Sequence, residues 1–138
     1  MEYDFGNLMN EAIEARDNAY VPYSNFRVGA ALLTTEGKIY RGCNIENASY
    51  SPTNCAERTA FFKAVSEGER NFAAIAVIGG ENEAGDYCSP CGVCRQVMLE
   101  FCNPDFLVVL GNSPQDYKVY SLEELIPYSF RKDRLGKQ

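Results

Sequence analysis

A chain of 138 residues is long enough for one domain with a real hydrophobic core, and residues 1–138 are read as one. Its formal net charge of −6 leaves no basic footprint for nucleic acid or an anionic membrane. No apolar run approaches the length of a bilayer span, and Met1-Glu2-Tyr3-Asp4-Phe5 is not a basic-then-apolar export signal, so the cytoplasm is the expected compartment. Six cysteines in such a chain point to metal binding or free thiols rather than disulfides. Histidine is absent, so acid–base chemistry near neutral pH falls to a carboxylate or a metal-bound water.

Asp4 to Tyr20 reads as an amphipathic helix, with Phe5, Leu8, Met9, Ala12 and Ile13 at helical spacing, and it stops ahead of Pro22. Phe26–Leu33 and Lys38–Ile45, joined by Thr34-Thr35-Glu36-Gly37, read as an antiparallel hairpin. Glycine and alanine in its first strand signal close approach of a backbone or a ligand. A helix over Cys55–Val65 follows, stopped near Gly68. Ala73–Ile78 is short and continuously apolar, as a central buried strand is, and Gly79–Ser89 is an exposed loop. A second helix covers Gly92–Phe101, and Phe106–Leu110 and Asp116–Tyr120 are strands. Only six residues separate Leu110 from Tyr117, too few for a parallel crossover, so these two strands are antiparallel if adjacent. Ser121-Leu122-Glu123-Glu124 is a capping box opening a last short helix before Pro127. This order of elements describes an α/β fold with helices on both faces of a mixed sheet.

The chemistry concentrates in Asn54-Cys55-Ala56-Glu57-Arg58 and Pro90-Cys91-Gly92-Val93-Cys94-Arg95, each at the start of a predicted helix. Unpaired N–H groups and the positive end of the dipole favour the thiolate, which is the metal-binding form. Cys91 and Cys94, at i and i+3, share one face of a first turn. Cys55 and Glu57 are two apart and face opposite ways in a regular helix, so both reach one centre only if Cys55 is the cap residue; Asn54 is a suitable capping side chain. The reading is a zinc site of Cys55, Cys91 and Cys94 with an open fourth position, and Glu57 as proton shuttle. Three thiolates on Zn²⁺ leave net negative charge, so the helix N-termini and Arg58 or Arg95 must offset it. Cys88, three residues before Cys91, is the candidate fourth thiol of a closed structural site.

These residues resemble the cytidine deaminase family, small homo-oligomeric zinc enzymes acting on free cytidine or deoxycytidine. The resemblance runs from about Tyr20 to Phe130 and rests also on Pro22-Tyr23-Ser24-Asn25-Phe26-Arg27-Val28-Gly29 and Gly42-Cys43-Asn44-Ile45-Glu46-Asn47-Ala48-Ser49-Tyr50. It implies a three-layer α/β/α sandwich on a five-stranded mixed sheet of order 2-1-3-4-5. It implies one Zn²⁺ per subunit on Cys55, Cys91 and Cys94, with zinc-bound hydroxide attacking C4 and Glu57 shuttling protons. Asn44 and Glu46 match the ribose-binding pair, Phe26 the aromatic on the base, Ala56 a backbone N–H to the base, and Arg58 the arginine that balances thiolate charge. Tyr50 and Phe130 match residues contributed across subunit interfaces of a homotetramer with shared sites. Where the family often has a proline two residues after Phe130, this chain has Lys132; Asn54 and Cys88 fill positions that are often apolar.

Without the resemblance, Phe26 reads as a core aromatic, Asn44, Glu46 and Asn47 as turn residues, Arg58 and Arg95 as solvated charges, and Cys43 and Cys102 as packing thiols. Rival functions are blasticidin-type deamination, deamination of a base within RNA or DNA, and a binding protein with a closed structural zinc. Asn44-Ile45-Glu46 argues against the first, and the acidic balance against the second.

Overall fold

The computed structural model describes residues 3–80 and 86–136. The chain runs α1 (Phe5–Arg16), β1 (Val28–Thr34), β2 (Ile39–Cys43), α2 (Ala56–Ser66), β3 (Phe72–Gly79), α3 (Gly92–Phe101), β4 (Leu107–Ser113), β5 (Asp116–Ser121) and α4 (Leu122–Leu125), then a 3₁₀ turn at Lys132–Leu135. The five strands form one sheet in the order β2-β1-β3-β4-β5, as expected. β3 pairs in parallel with β4, and β1 with β2, β1 with β3 and β4 with β5 are antiparallel, so the last two strands run as the short connection required.

Side chains of the central strands alternate between two cores, because both faces of the sheet are covered. Ala31, Ala74, Ala76, Ile78 and Val109 face α1, where they meet Leu8, Met9 and Ala12. Ala30, Leu32, Ile75, Val77, Val108 and Leu110 face the other way, onto Ala60, Phe61 and Ala64 of α2 and Met98 and Leu99 of α3. Phe61 locks this second layer, with its ring centroid 5.2 Å from Phe72 and 6.2 Å from Phe101.

Asp4 caps α1 through a carboxylate that accepts from the Asn7 N–H at 2.9 Å. The helix ends at Arg16, four residues short of the expected Tyr20. Sheet-like pairing takes Tyr20 instead: its N–H donates to the Asn44 carbonyl at 3.0 Å, and its carbonyl accepts from the Glu46 N–H at 2.9 Å. Gly68 stops α2 in the left-handed conformation at φ 98°, and Ser121 and Glu124 form the expected capping box of α4. Part of the expected loop Gly79–Ser89, residues 81–85, lies outside the described residues.

The strand directions explain where the chemistry collects. β2 and β3 both run antiparallel to β1, hence in the same sense as each other, and β4 follows that sense. α2 follows β2 and α3 follows β3, so both helices begin at one end of the sheet, on one face. The residues just before β1 lie at that same end. Ligand crevices of α/β sheets form there, outside the carboxyl ends of parallel strands.

Two glycines let the helices settle on the sheet. A Cβ at Gly29 would stand 2.0 Å from the Ala12 carbonyl oxygen of α1, and one at Gly42 2.4 Å from the Ala56 oxygen of α2. The small residues of the first strand thus admit a helix backbone. Gly29→Ala is expected to cost about 3 kcal/mol through overpacking against α1. Gly37→Ala, in open space at φ 95°, is expected to cost only about 1 kcal/mol. Urea unfolding midpoints of the two variants check the difference.

Candidate active site

Cys55 and Cys91 occupy equivalent places. Each is the residue immediately before a helix, in extended backbone geometry: φ −75° and ψ 158° for Cys55, φ −68° and ψ 168° for Cys91. This is the arrangement that lets Cys55 and Glu57 serve one centre. Asn54 does not cap α2; its amide donates to the Thr59 hydroxyl at 3.1 Å, while its backbone pairs with Ile45. The cap position already belongs to Cys55, whose side chain is turned to the other thiols.

The three thiols converge. Cys55 Sγ is 3.7 Å from Cys91 Sγ, Cys91 Sγ is 3.5 Å from Cys94 Sγ, and all three lie within 4.8 Å of one another. Sulfurs bound about 2.3 Å from a tetrahedral zinc stand about 3.7 Å apart, so the set fits that ion. Cys88 is not part of the cluster. Its thiol lies against Gly79, and burial, followed by the nearby negative charge of Glu57 and the cysteines, pushes it up to about 11. A closed four-thiol site is therefore not what the fold builds.

Charge around the thiols is arranged as a metal-binding thiolate needs. A hydrogen bond from Cys94 is the largest influence drawing Cys55 down to about 5, and the Arg58 guanidinium, donating to Cys55 Sγ at 3.2 Å, assists. Arg58 Nε is buried with no hydrogen-bond partner among the described residues, a position tolerable for a cation only beside negative charge. Arg95, the other candidate, is committed elsewhere. Its guanidinium donates to the carbonyls of Pro90, at 2.7 Å, and Leu125, holding the α3 start to the end of α4.

Glu57 is the one buried carboxylate among the described residues, at 4% exposure. Burial first, and the neighbouring Cys55 charge after it, push it up to about 7, where it can both take and give a proton.

Of the remaining predicted positions, Asn44 and Glu46 flank a residue tied to the start of α2. Ile45 pairs with Asn54, which brings the Asn44–Glu46 stretch beside the Cys55 cap. Both ends of the Asn44 amide hold backbone: Oδ1 accepts from the Val28 N–H and Nδ2 donates to the Phe26 carbonyl, each at 2.8 Å. Glu46 accepts from the N–H groups of Tyr23 and Ser24 and from the Ser24 hydroxyl, and that hydroxyl is the largest influence holding its carboxyl below the usual range. The Phe26 ring lies over Gly79 and Gly80, half exposed, beside Cys88. Tyr50, at φ 62°, stands edge-on to Tyr23 with 6.4 Å between ring centroids.

Ala56, fully buried, opens α2 between Cys55 and Glu57. Gln96 donates to the Phe130 carbonyl at 2.8 Å, fixing the tail to α3, and the Phe130 ring is exposed. The tail then turns through Lys132–Leu135, with Lys132 donating to the Glu100 carbonyl. Ser24 and Gln96 stand within the family-like motifs, but neither carried a role in the sequence. A serine two residues before Phe26 carried a turn signal, and Gln96 carried none.

The family model for the cytidine and deoxycytidylate deaminase zinc-binding region matches residues 4–110. The chain belongs to this family. It is 53% identical to the cytidine deaminase of Sporosarcina psychrophila, over 96% of each chain. It is 55% identical to that of Halalkalibacterium halodurans, over 94% of this chain and 96% of the relative. Among solved structures, cytidine deaminase from Burkholderia pseudomallei superposes with a TM-score of 0.84 at 51% identity, covering 94% of this chain and all of the other. The α/β architecture is that of the family.

Removing a ligand thiol is expected to abolish tight zinc retention, whereas Cys88→Ala is expected to leave it at the wild-type level. Metal analysis of dialysed Cys55→Ala, Cys91→Ala, Cys94→Ala and Cys88→Ala proteins distinguishes them.

Proposed function

We propose that this protein hydrolyses the C4 amino group of free cytidine and deoxycytidine, giving uridine or deoxyuridine and ammonia, as a cytoplasmic enzyme of pyrimidine salvage. The observation that carries the reading is a buried carboxyl, Glu57, two residues from the first of three converging thiols. Cys55, Cys91 and Cys94 would hold one zinc ion per chain. Zinc bound there supplies a Lewis acid that makes water nucleophilic near neutral pH.

Glu57 is the catalytic residue. It accepts a proton from the attacking water and places it on N3 of the pyrimidine. It then takes the proton of the hydroxyl now on C4 and passes it to the amino group, which leaves as ammonia while the C4 carbonyl forms. Its burial supports that role, because a carboxyl drawn up to about 7 exchanges protons at little cost in either direction. Arg58 offsets the thiolate charge, a role supported by its hydrogen bond to Cys55. The Ala56 N–H contacts the base and Phe26 packs on it, while Asn44 and Glu46 take the ribose hydroxyls.

The working form is a homotetramer of one-domain subunits in which Tyr50 and Phe130 complete a neighbouring copy's site. Their exposure in the single chain, 74% and 61%, supports this. The net charge of −6 favours a free nucleoside over a nucleic acid.

Loss of the cytidine absorbance band with ammonia release, on zinc-loaded protein, tests the reading. Glu57→Gln is expected to lower kcat about a thousandfold or more while retaining fold and zinc. Wild-type turnover by that variant would contradict the assignment. Phe130→Ala is expected to raise KM, and light scattering of the wild type to give a tetramer's mass.

A further inference from the structure

We propose that Ser24 is a positioning residue that aims Glu46 at the nucleoside and couples it to Phe26, an inference that rests on the deaminase reading above. The Ser24 hydroxyl has one hydrogen and two lone pairs, and the fold uses both kinds. It donates to Glu46 Oε2, and it accepts from the Phe26 N–H at 3.0 Å. The same turn supplies two more donors to the carboxylate: the N–H groups of Tyr23, at 3.0 Å, and Ser24, at 3.1 Å, both reach Glu46 Oε1.

A carboxylate offers about four lone-pair directions. Three are occupied by this turn, two on Oε1 and one on Oε2, so the direction left for a sugar hydroxyl is on Oε2. The Ser24 hydroxyl is the one donor on that oxygen among the described residues, and it therefore sets where the free lone pair points. An otherwise mobile glutamate is ordered before substrate arrives, which lowers the entropic cost of binding.

The coupling to Phe26 follows from the second bond. Glu46, the Ser24 hydroxyl, the Phe26 backbone and the Asn44 amide form one continuous chain of hydrogen bonds. The group assigned to the sugar and the ring assigned to the base are thus held in a fixed relation. Ser24 is exposed, and Asn44 still clamps Phe26 and Val28 when the hydroxyl is absent. A Ser24→Ala protein therefore keeps its fold.

The test compares wild type, Ser24→Ala and Ser24→Thr as full-length zinc-loaded enzymes. The substrate is 2′-deoxycytidine, and 2′,3′-dideoxycytidine, which lacks the remaining ring hydroxyl, serves as competitor. Ser24→Ala is expected to raise KM for 2′-deoxycytidine about tenfold, as losing one charge-assisted hydrogen bond does, with kcat changed less than about twofold. Ser24→Thr, which keeps the hydroxyl, is expected to restore KM, and the inhibition constant of the dideoxy compound is expected to be the same in all three. An unchanged KM in Ser24→Ala, equal weakening of the dideoxy competitor, or failure of threonine to rescue would overturn the proposal. Wild-type turnover separates the two levels: an inactive wild type overturns the deaminase reading and this inference together, whereas an active wild type beside an unaffected Ser24→Ala overturns this inference alone.

Discussion

The structure turns on the cost of gathering three sulfurs and a buried carboxyl within one small volume. Thiols this close repel as they ionise, and a carboxyl beside them is forced toward its neutral form. The fold meets that cost with positive electrostatics fixed in the backbone. Cys55 and Cys91 are both placed where a helix begins, and Arg58 adds its own charge, reaching Cys55 from the first turn of α2. Ionisation is thereby drawn to Cys55, while Glu57 stays near the point at which it can exchange protons.

Bringing two helix starts together is a problem of topology, solved by the directions of β2 and β3. Each is followed by a helix on the same face, and both run the same way, so the two N-termini meet at one end of the sheet. Packing fixes how closely they meet. Gly29 admits α1 on one face, Gly42 admits α2 on the other, and Phe61 ties α2 to α3. The site is a consequence of how α2 and α3 pack on one face of the sheet.

Much of this was legible in the sequence because the signals were local and strong. Two motifs at helix starts located the three converging thiols, the short link between Leu110 and Tyr117 fixed the antiparallel edge, and Ser121–Glu124 announced its capping box. What escaped depended on long-range partners. Asn54 looked like a cap, but β-type pairing with Ile45 and the Cys55 backbone claimed that position. Charge alone left Arg95 and Arg58 equivalent, the resemblance favoured Arg58, and the fold sends Arg95 to carbonyls and Arg58 to a sulfur. α1 stopped short because Tyr20 is captured by the Asn44–Glu46 stretch, a contact no helical periodicity encodes. Asn44 was matched to a substrate role from its motif, and its clamp on the Phe26–Val28 backbone became visible only in three dimensions.

Cys55, Cys91 and Cys94 offer a zinc ion three thiols with a fourth position open for chemistry, Cys88 standing aside. X-ray absorption at the zinc edge of the loaded protein measures the ligand set directly. Three sulfurs at about 2.3 Å and one lighter oxygen ligand at about 2.0 Å are expected. Four sulfurs at about 2.3 Å would contradict this, for the site would then be closed and structural.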